Sequence, residues 1–190
     1  MTDRIEILGI AGSLRGDSYN RRLLELAQRL VPDEVELSLF DLRQVPFYDG
    51  DVEAAGDPDG VRALKTAVRD ADAVLIATPE YNGTIPGVLQ NAIDWASRPR
   101  ATASLRAKPV AIVGASPGPG GTARAQPVLR QVLENTGALV LPTRSLLLAR
   151  AGDALDGDAS ELELELTAFL DDLIEQVGQG SSLPREERAA

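Results

Sequence analysis

The chain has 190 residues, 44% hydrophobic and 25% charged, with no Cys and no His. That length suits one domain and the apolar share supplies a core, so wholesale disorder is excluded. Without Cys or His there is no disulfide scaffold, thiol nucleophile, imidazole base or thiolate metal site, which leaves carboxylates, hydroxyls, Lys or a bound cofactor to carry chemistry.

The net charge of -10 is unevenly spread: residues 151–190 hold 11 acids against Arg185 and Arg188, while residues 1–150 are close to neutral. Acidity confined to the C-terminal segment need not repel an anionic ligand bound elsewhere. No basic stripe exists to track nucleic acid, and no apolar run approaches the ~18 residues of a membrane span. The opening MTDRIEILGIAGS lacks a leader pattern, and its apolar stretch is strand-length, so the expected compartment is the cytoplasm.

In chain order, short apolar runs at 4–11, 34–40, 73–78, 109–114 and 138–141 read as strands. The three later runs are apolar almost throughout, as buried parallel strands are. Between them lie helical stripes. Leu23, Leu26, Ala27 and Leu30 share one face, and Val61, Leu64, Lys65 and Val68 repeat a weaker version. Val88, Leu89, Ala92, Ile93 and Ala96 follow Pro86; Leu129, Val132 and Leu133 mark a fourth helix, ended by Asn135 and Gly137. The last helix is expected to open on a Ser160/Glu163 capping box and to stop at Gly178. Five strands and five helices in alternation imply an open doubly wound sheet over residues 1–178, with 179–190 a frayed tail.

Ligands in such sheets sit at the carboxyl ends of the strands. Three unusual loops leave that edge: GSLRGDSYN (12–20), PEYNGTIPG (79–87) and GASPGPGGTAR (114–124). In the first, Gly12 and Gly16 permit close backbone approach, Ser13, Ser18 and Asn20 offer hydrogen bonds, and Arg15 brings a planar donor fork. A helix starts where the loop ends, so the pattern suits a phosphate monoester. A plainer reading has Ser18 only capping that helix, which accounts for one residue of five. A dinucleotide G-x-G-x-x-G is missing, because Gly9, Gly12 and Gly16 have the wrong spacing, and Asp41 alone is an ordinary loop acid. There is no Walker lysine, since the only lysines are Lys65 and Lys108. In the second loop Pro79 forces an extended exit and Gly83 and Gly87 allow turning, so a flat ligand could lie on the backbone. The bland alternative is a loop with Thr84 as helix cap. The third loop has Gly114, Gly118, Gly120 and Gly121 with Ser116 and Thr122, a weak signal alone.

Taken together, GSLRGDSYN, TPEYNGTIPGVLQNAIDWASRP and GASPGPGG resemble the NADPH-dependent FMN reductases of the flavodoxin-like superfamily, a group that includes bacterial quinone, chromate and azo-dye reductases. The resemblance spans roughly residues 4–175 and also takes in ARAGDALDGDAS. It implies a flavodoxin-like three-layer α/β fold with a five-stranded parallel sheet in the order 2-1-3-4-5. It also implies FMN, with its phosphate on Ser13, Arg15, Ser18 and Asn20. The ribityl chain and ring would lie along Pro79, Glu80, Tyr81, Asn82 and Gly83, with Ser116, Gly118 and Gly120 on the other side. Pro117, Pro119 and Pro127 depart from the family's usual third loop. The implied reaction is ping-pong hydride transfer from NADPH or NADH, through FMN, to a quinone, azo compound, chromate or free flavin. No catalytic side chain and no metal are implied; partners are small-molecule acceptors, with a homodimer or homotetramer as the assembly. Tyr81 would shape the open ring face, and Trp95 is either core or a subunit contact bordering the flavin. Two rival readings are a flavodoxin-like electron carrier that does not use NADPH, and a non-catalytic module for a phosphate ligand.

Overall fold

A computed structural model describes residues 4–180. Strands β1 (Ile5–Ala11), β2 (Val35–Phe40), β3 (Ala73–Ala77), β4 (Pro109–Ala115) and β5 (Leu139–Val140) lie parallel in the order β2-β1-β3-β4-β5, the flavodoxin-type order expected. A sixth strand, β6 (Leu147–Leu148), is as short as β5 but has no turn signal such as Gly137 directly before it to set its apolar run apart. It completes the open side of β4. β5 pairs with the start of β4 through Pro109↔Leu139, and β6 pairs with its end through Gly114↔Leu147 and Ala115↔Leu148.

The sheet is covered on both faces, and strand alternation decides which side chain goes where. Leu8, Ile10, Val74, Ile76, Val110 and Ile112 point to one face, where α3 (Asp59–Asp70), α4 (Gly87–Ala96) and α5 (Ala125–Asn135) pack. Ile7, Ala73, Leu75, Ala111 and Val113 point to the other, against α1 (Tyr19–Leu30), α6 (Ala151–Asp156) and α7 (Ser160–Gly180). The stripes Leu23/Leu26/Ala27 on α1 and Leu166/Phe169/Leu170/Leu173 on α7 are all buried in that second layer. Each fully buried Leu, Ile or Phe contributes about 1.5–3 kcal/mol relative to exposure, so the two stripes orient both helices. The short helices α2 (Gly50–Ala55) and α6 carry no apolar stripe, since six residues hold under two turns.

Lys65 lies on the apolar stripe of α3 for a reason. It is only 4% exposed, and its Nζ donates to both carboxylate oxygens of Asp57 at 2.8 and 2.7 Å. Trp95 is core: it is 0% exposed within the single chain, donates its Nε1–H to Pro46 O at 2.9 Å, and meets Tyr48 edge-on at 5.0 Å. Full burial removes the reading of Trp95 as a subunit contact.

The start of α7 differs from expectation. Asp158, and not Ser160, supplies the cap, accepting the Ser160 N–H at 3.0 Å and the Ser160 hydroxyl at 2.6 Å. Those two bonds, the hydroxyl's first, hold the Asp158 carboxyl below its ordinary value near 3.8. The helix also runs past the expected stop at Gly178 to Gly180. One glycine costs a helix about 1 kcal/mol, less than the buried stripe through Val177 contributes. The rest of the expected tail, 181–190, lies outside the described residues.

Candidate functional site

β1, β3 and β4 end at one edge, so the loops that follow them lie side by side. The Gly12 N–H donates to Ala77 O at 2.8 Å, joining the first loop to the end of β3. Ser13 Oγ and the Tyr81 hydroxyl are 3.4 Å apart, which brings the first and second loops together. Ser18 is the cap of α1, its Oγ accepting the Arg21 N–H at 3.3 Å. Its own hydroxyl hydrogen stays unspent, so capping and ligand binding are compatible. Asn20, 2% exposed, accepts the Ala115 N–H at 2.9 Å and donates to Ala115 O at 2.8 Å. The preceding inward pair of β4 is normal, with Thr78 N–H bonding Val113 O at 3.0 Å. There the chain turns away at Pro79, and the Asn20 carboxamide takes the place of the next strand residue. One Asn20 amide hydrogen remains. The Arg15 guanidinium, like the backbone N–H groups of Ser13, Leu14, Gly16 and Asp17, has no acceptor among the described residues.

The second loop is a miniature hairpin. Tyr81 and Thr84 exchange N–H···O bonds of 3.0 and 3.1 Å around Asn82 (φ 54°) and Gly83 (φ 76°). Two left-handed residues in series are the type I′ turn that Asn-Gly favours. Thr84 is thus spent on the hairpin, and α4 opens behind Pro86 with no side-chain cap, which removes the bland reading of this loop. Glu80 has a job the sequence did not reveal. Its Oε2 accepts the N–H groups of Arg124 and Ala125 at 2.9 and 3.1 Å and so caps α5 from a distant loop. The available signal was that α5 opens on Arg124-Ala125, with no cap of its own. The N–H groups of Glu80, Asn82 and Gly83 have no acceptor among the described residues.

The third loop is clasped by the segment after β6. Ser116 N–H donates to Leu148 O at 2.9 Å, Arg150 N–H to Gly118 O at 3.1 Å, and Ser116 Oγ accepts the Gly118 N–H at 3.2 Å. Gly118 and Gly120 are the glycines expected at the ligand, yet Gly120 has open space where a Cβ would stand. The steric need falls on Gly114, whose Cβ would stand 2.6 Å from Thr78 O, and on Gly121, with φ 56° and a hypothetical Cβ only 2.6 Å from Leu147 O.

Charge at this edge is positive although the chain is acidic. The guanidiniums of Arg15, Arg124 and Arg150 have no partner among the described residues. The nearby acids are engaged: Asp17 lies 3.7 Å from Arg22, Asp41 pairs with Arg43 at 3.1 Å, and Glu80 caps α5. The Arg43 backbone N–H, helped by its guanidinium, holds Asp41 below the ordinary carboxylate value despite partial burial. Arg43 also donates to Leu14 O, which braces the first loop. A separate cleft of about 560 Å³ lies at the other end of α4 and α5, lined by Arg98, Arg100, Arg106, Asp94 and Glu134. Two helix C-termini converge there, so its guanidiniums offset local negative charge and carry no ligand argument.

This edge therefore offers unspent N–H donors and cations in three converging loops, with no side chain poised as an acid, base or nucleophile. Among the described residues no cluster of His, Cys, Asp or Glu could hold a metal ion. The profile of the NADPH-dependent FMN reductases matches residues 5–153. The chain belongs to that family. It is accordingly an oxidoreductase of the FMN- and NAD(P)H-dependent type. It is 45% identical over 163 residues to an NAD(P)H-dependent FMN reductase of Pseudomonas aeruginosa, covering 86% of this chain and 88% of that one. It is 33% identical to a quinone reductase of Pseudomonas putida, covering 97% and 99%. Among solved structures, FerB, a flavoenzyme NAD(P)H:(acceptor) oxidoreductase from Paracoccus denitrificans, superposes with a TM-score of 0.83 at 34% identity, covering 92% and 98%. Among the described residues, no helix of this FMN reductase family member is long and apolar enough to cross a membrane.

Proposed function

We propose that the three loops hold FMN at the sheet edge and that the enzyme reduces quinone-type acceptors with NADPH or NADH in the cytoplasm. In this reading Arg15, the Ser13 and Ser18 hydroxyls, the free amide hydrogen of Asn20 and the open N–H groups of Ser13, Leu14, Gly16 and Asp17 receive the phosphate. The ribityl chain and ring follow Pro79, Glu80, Tyr81, Asn82 and Gly83, with Ser116, Gly118 and Gly120 opposite. The observation that carries the proposal is the concentration of unspent donors. Among the described residues every buried side-chain N or O has a partner, whereas seven loop N–H groups and the Arg15 fork at this edge have none. Unpaired donors that converge on one spot fit an anionic, acceptor-rich ligand.

When bound, FMN supplies hydride transfer between the nicotinamide donor and the acceptor, the two using one open ring face in turn, which is ping-pong kinetics. The chain's part is positional and electrostatic. The N–H groups of Asn82 and Gly83, fixed by the tight turn, hold negative charge at the ring edge without reorganising. Tyr81, 45% exposed, lines the open face. No side chain moves a proton in this scheme, in keeping with the absence of His and Cys. Azo compounds, chromate and free flavin are further acceptors that an open face admits. A homodimer or homotetramer belongs to the proposal, and Phe47, 85% exposed, supplies apolar surface for it; sedimentation velocity measures the assembly.

The test is reconstitution with FMN followed by anaerobic mixing with NADPH or NADH, which should bleach the yellow protein within the mixing experiment. Arg15→Ala should weaken FMN about tenfold, the scale of a hydrogen bond to a charged partner, and leave riboflavin nearly unchanged. Equal losses for the two ligands would remove Arg15 from the phosphate site.

A further inference from the structure

Arg124 is the one cation of this edge placed beside the second loop. Its N–H is held by the Glu80 carboxylate at 2.9 Å, so the first residue of the α5 entrance is locked to that loop. Its side chain then lies along the Asn82–Gly83 turn, Cδ at 3.6 Å and Nη1 at 3.9 Å from where a Gly83 Cβ would be. Gly83 lacks that Cβ, and its positive φ of 76° discourages one, so the guanidinium can rest against bare backbone. Glu80 does not neutralise this guanidinium in the usual way. Its charge is taken up by two backbone N–H groups and the positive end of the α5 dipole. Arg124 is exposed and has no side-chain partner among the described residues.

The geometry points to Arg124 as a substrate-specificity residue: it receives an anionic group, phosphate or carboxylate, carried by the molecule that stacks on the ring face. This rests on the FMN reading, because the turn beside Arg124 is the one assigned to the ring. The phosphate site of the first loop is separate, since Arg15 serves that loop and Arg124 the turn of the second. A guanidinium rooted at the rim by its backbone offers two parallel donors to either oxyanion, and the positive edge of an acidic protein steers such ligands inward.

The experiment uses FMN-loaded wild-type protein, Arg124→Ala, Arg124→Lys and, as a remote control, Arg100→Ala. Flavin absorbance titrations measure the Kd of ADP-ribose, the phosphate arm, and of benzoate, the carboxylate arm, with benzamide as the neutral analogue. Arg124→Ala should raise the Kd of at least one anion about tenfold, leave benzamide within twofold, and keep the FMN affinity of wild type. Arg124→Lys should recover part of the loss, and KM for the matching charged substrate should rise while kcat holds. The arm that responds identifies whether donor phosphate or acceptor carboxylate uses the site. Equal losses for benzoate and benzamide, or no loss for either anion, would overturn the inference while FMN binding stands. Loss of FMN itself would reassign Arg124 to the cofactor, and failure of wild type to bind FMN would overturn the underlying reading along with this one.

Discussion

Replacing Asn20 by Ala tests the way the edge is built. The carboxamide is 2% exposed and satisfies both the N–H and the C=O of Ala115, itself 1% exposed, at 2.9 and 2.8 Å. No other protein group among the described residues serves them, because β3 has already diverged at Pro79. Each buried polar group left unsatisfied costs about 1–3 kcal/mol, so the pair costs about 2–6 kcal/mol, less if a water enters the space left behind. We expect about 3 kcal/mol. For a chain of this size that lowers the melting temperature of the FMN-free protein by roughly 6–12 °C. Asn20→Asp sharpens the case. At neutral pH its carboxylate can accept the Ala115 N–H but opposes the Ala115 carbonyl, in a buried place that disfavours charge. Its folded pKa is thereby raised, so the variant should be destabilised at pH 7 and regain stability as pH falls through that value, where the protonated form can donate. Urea unfolding of the FMN-free variants at pH 5 and pH 7 measures both effects. A loss under about 1 kcal/mol for Ala, or an Asp variant as stable as wild type at pH 7, would show that Ala115 does not depend on this side chain.

Asp57→Ala strands the buried Lys65 ammonium and should cost about 3–5 kcal/mol by urea unfolding, whereas Lys65→Met, which removes the buried charge, should cost less. Glu80→Ala uncaps α5 and should lower stability by about 1–2 kcal/mol at unchanged m-value. Gly121→Ala should destabilise by more than about 2 kcal/mol, because strain at φ 56° adds to the backbone clash, while Gly120→Ala stays within about 0.5 kcal/mol. On the acid side, Asp41, Asp158 and Asp172 are held below their ordinary value near 3.8, Asp172 chiefly by the Arg144 guanidinium. A depressed carboxylate stabilises the fold above its unfolded value and loses that contribution as pH falls through the folded one. Stability should therefore decline below about pH 4, and Asp172→Asn should flatten that limb; a rise on acidification would contradict the assignment.

What the sequence disclosed and what it withheld divide along a physical line. Periodic burial is written locally, so the strands β1 to β5, the α1 and α7 stripes and the parallel order could be read from spacing and resemblance. Asn82-Gly83 was equally readable in principle, since Asn-Gly is the pair that a two-residue type I′ hairpin favours. Groups whose partner lies far along the chain were not readable. Asn20 meets Ala115, and Glu80 meets Arg124, across 95 and 44 positions. Lys65 looked like a flaw in an apolar stripe until Asp57 supplied its counter-charge.

That division bears on function. Ser18, Asn20 and Glu80 carry the ligand reading, and the structure employs all three in the fold: Ser18 caps α1, while Asn20 and Glu80 hold separate loops to each other. The two roles are coupled by arithmetic of donors. A hydroxyl that accepts from a helix N–H still has its hydrogen, and a carboxamide that bonds one peptide still has a second amide hydrogen. Each such residue is fixed first by the fold, and so presents its remaining hydrogen at a set position with little ordering entropy left to lose. Glu80 is different, because a carboxylate has no hydrogen to offer. Its contribution to a bound ring has to come through its own backbone N–H, which the cap on α5 helps to hold in place. A Glu80→Gln variant, which keeps an acceptor oxygen for the cap, should for that reason disturb FMN far less than Glu80→Ala does.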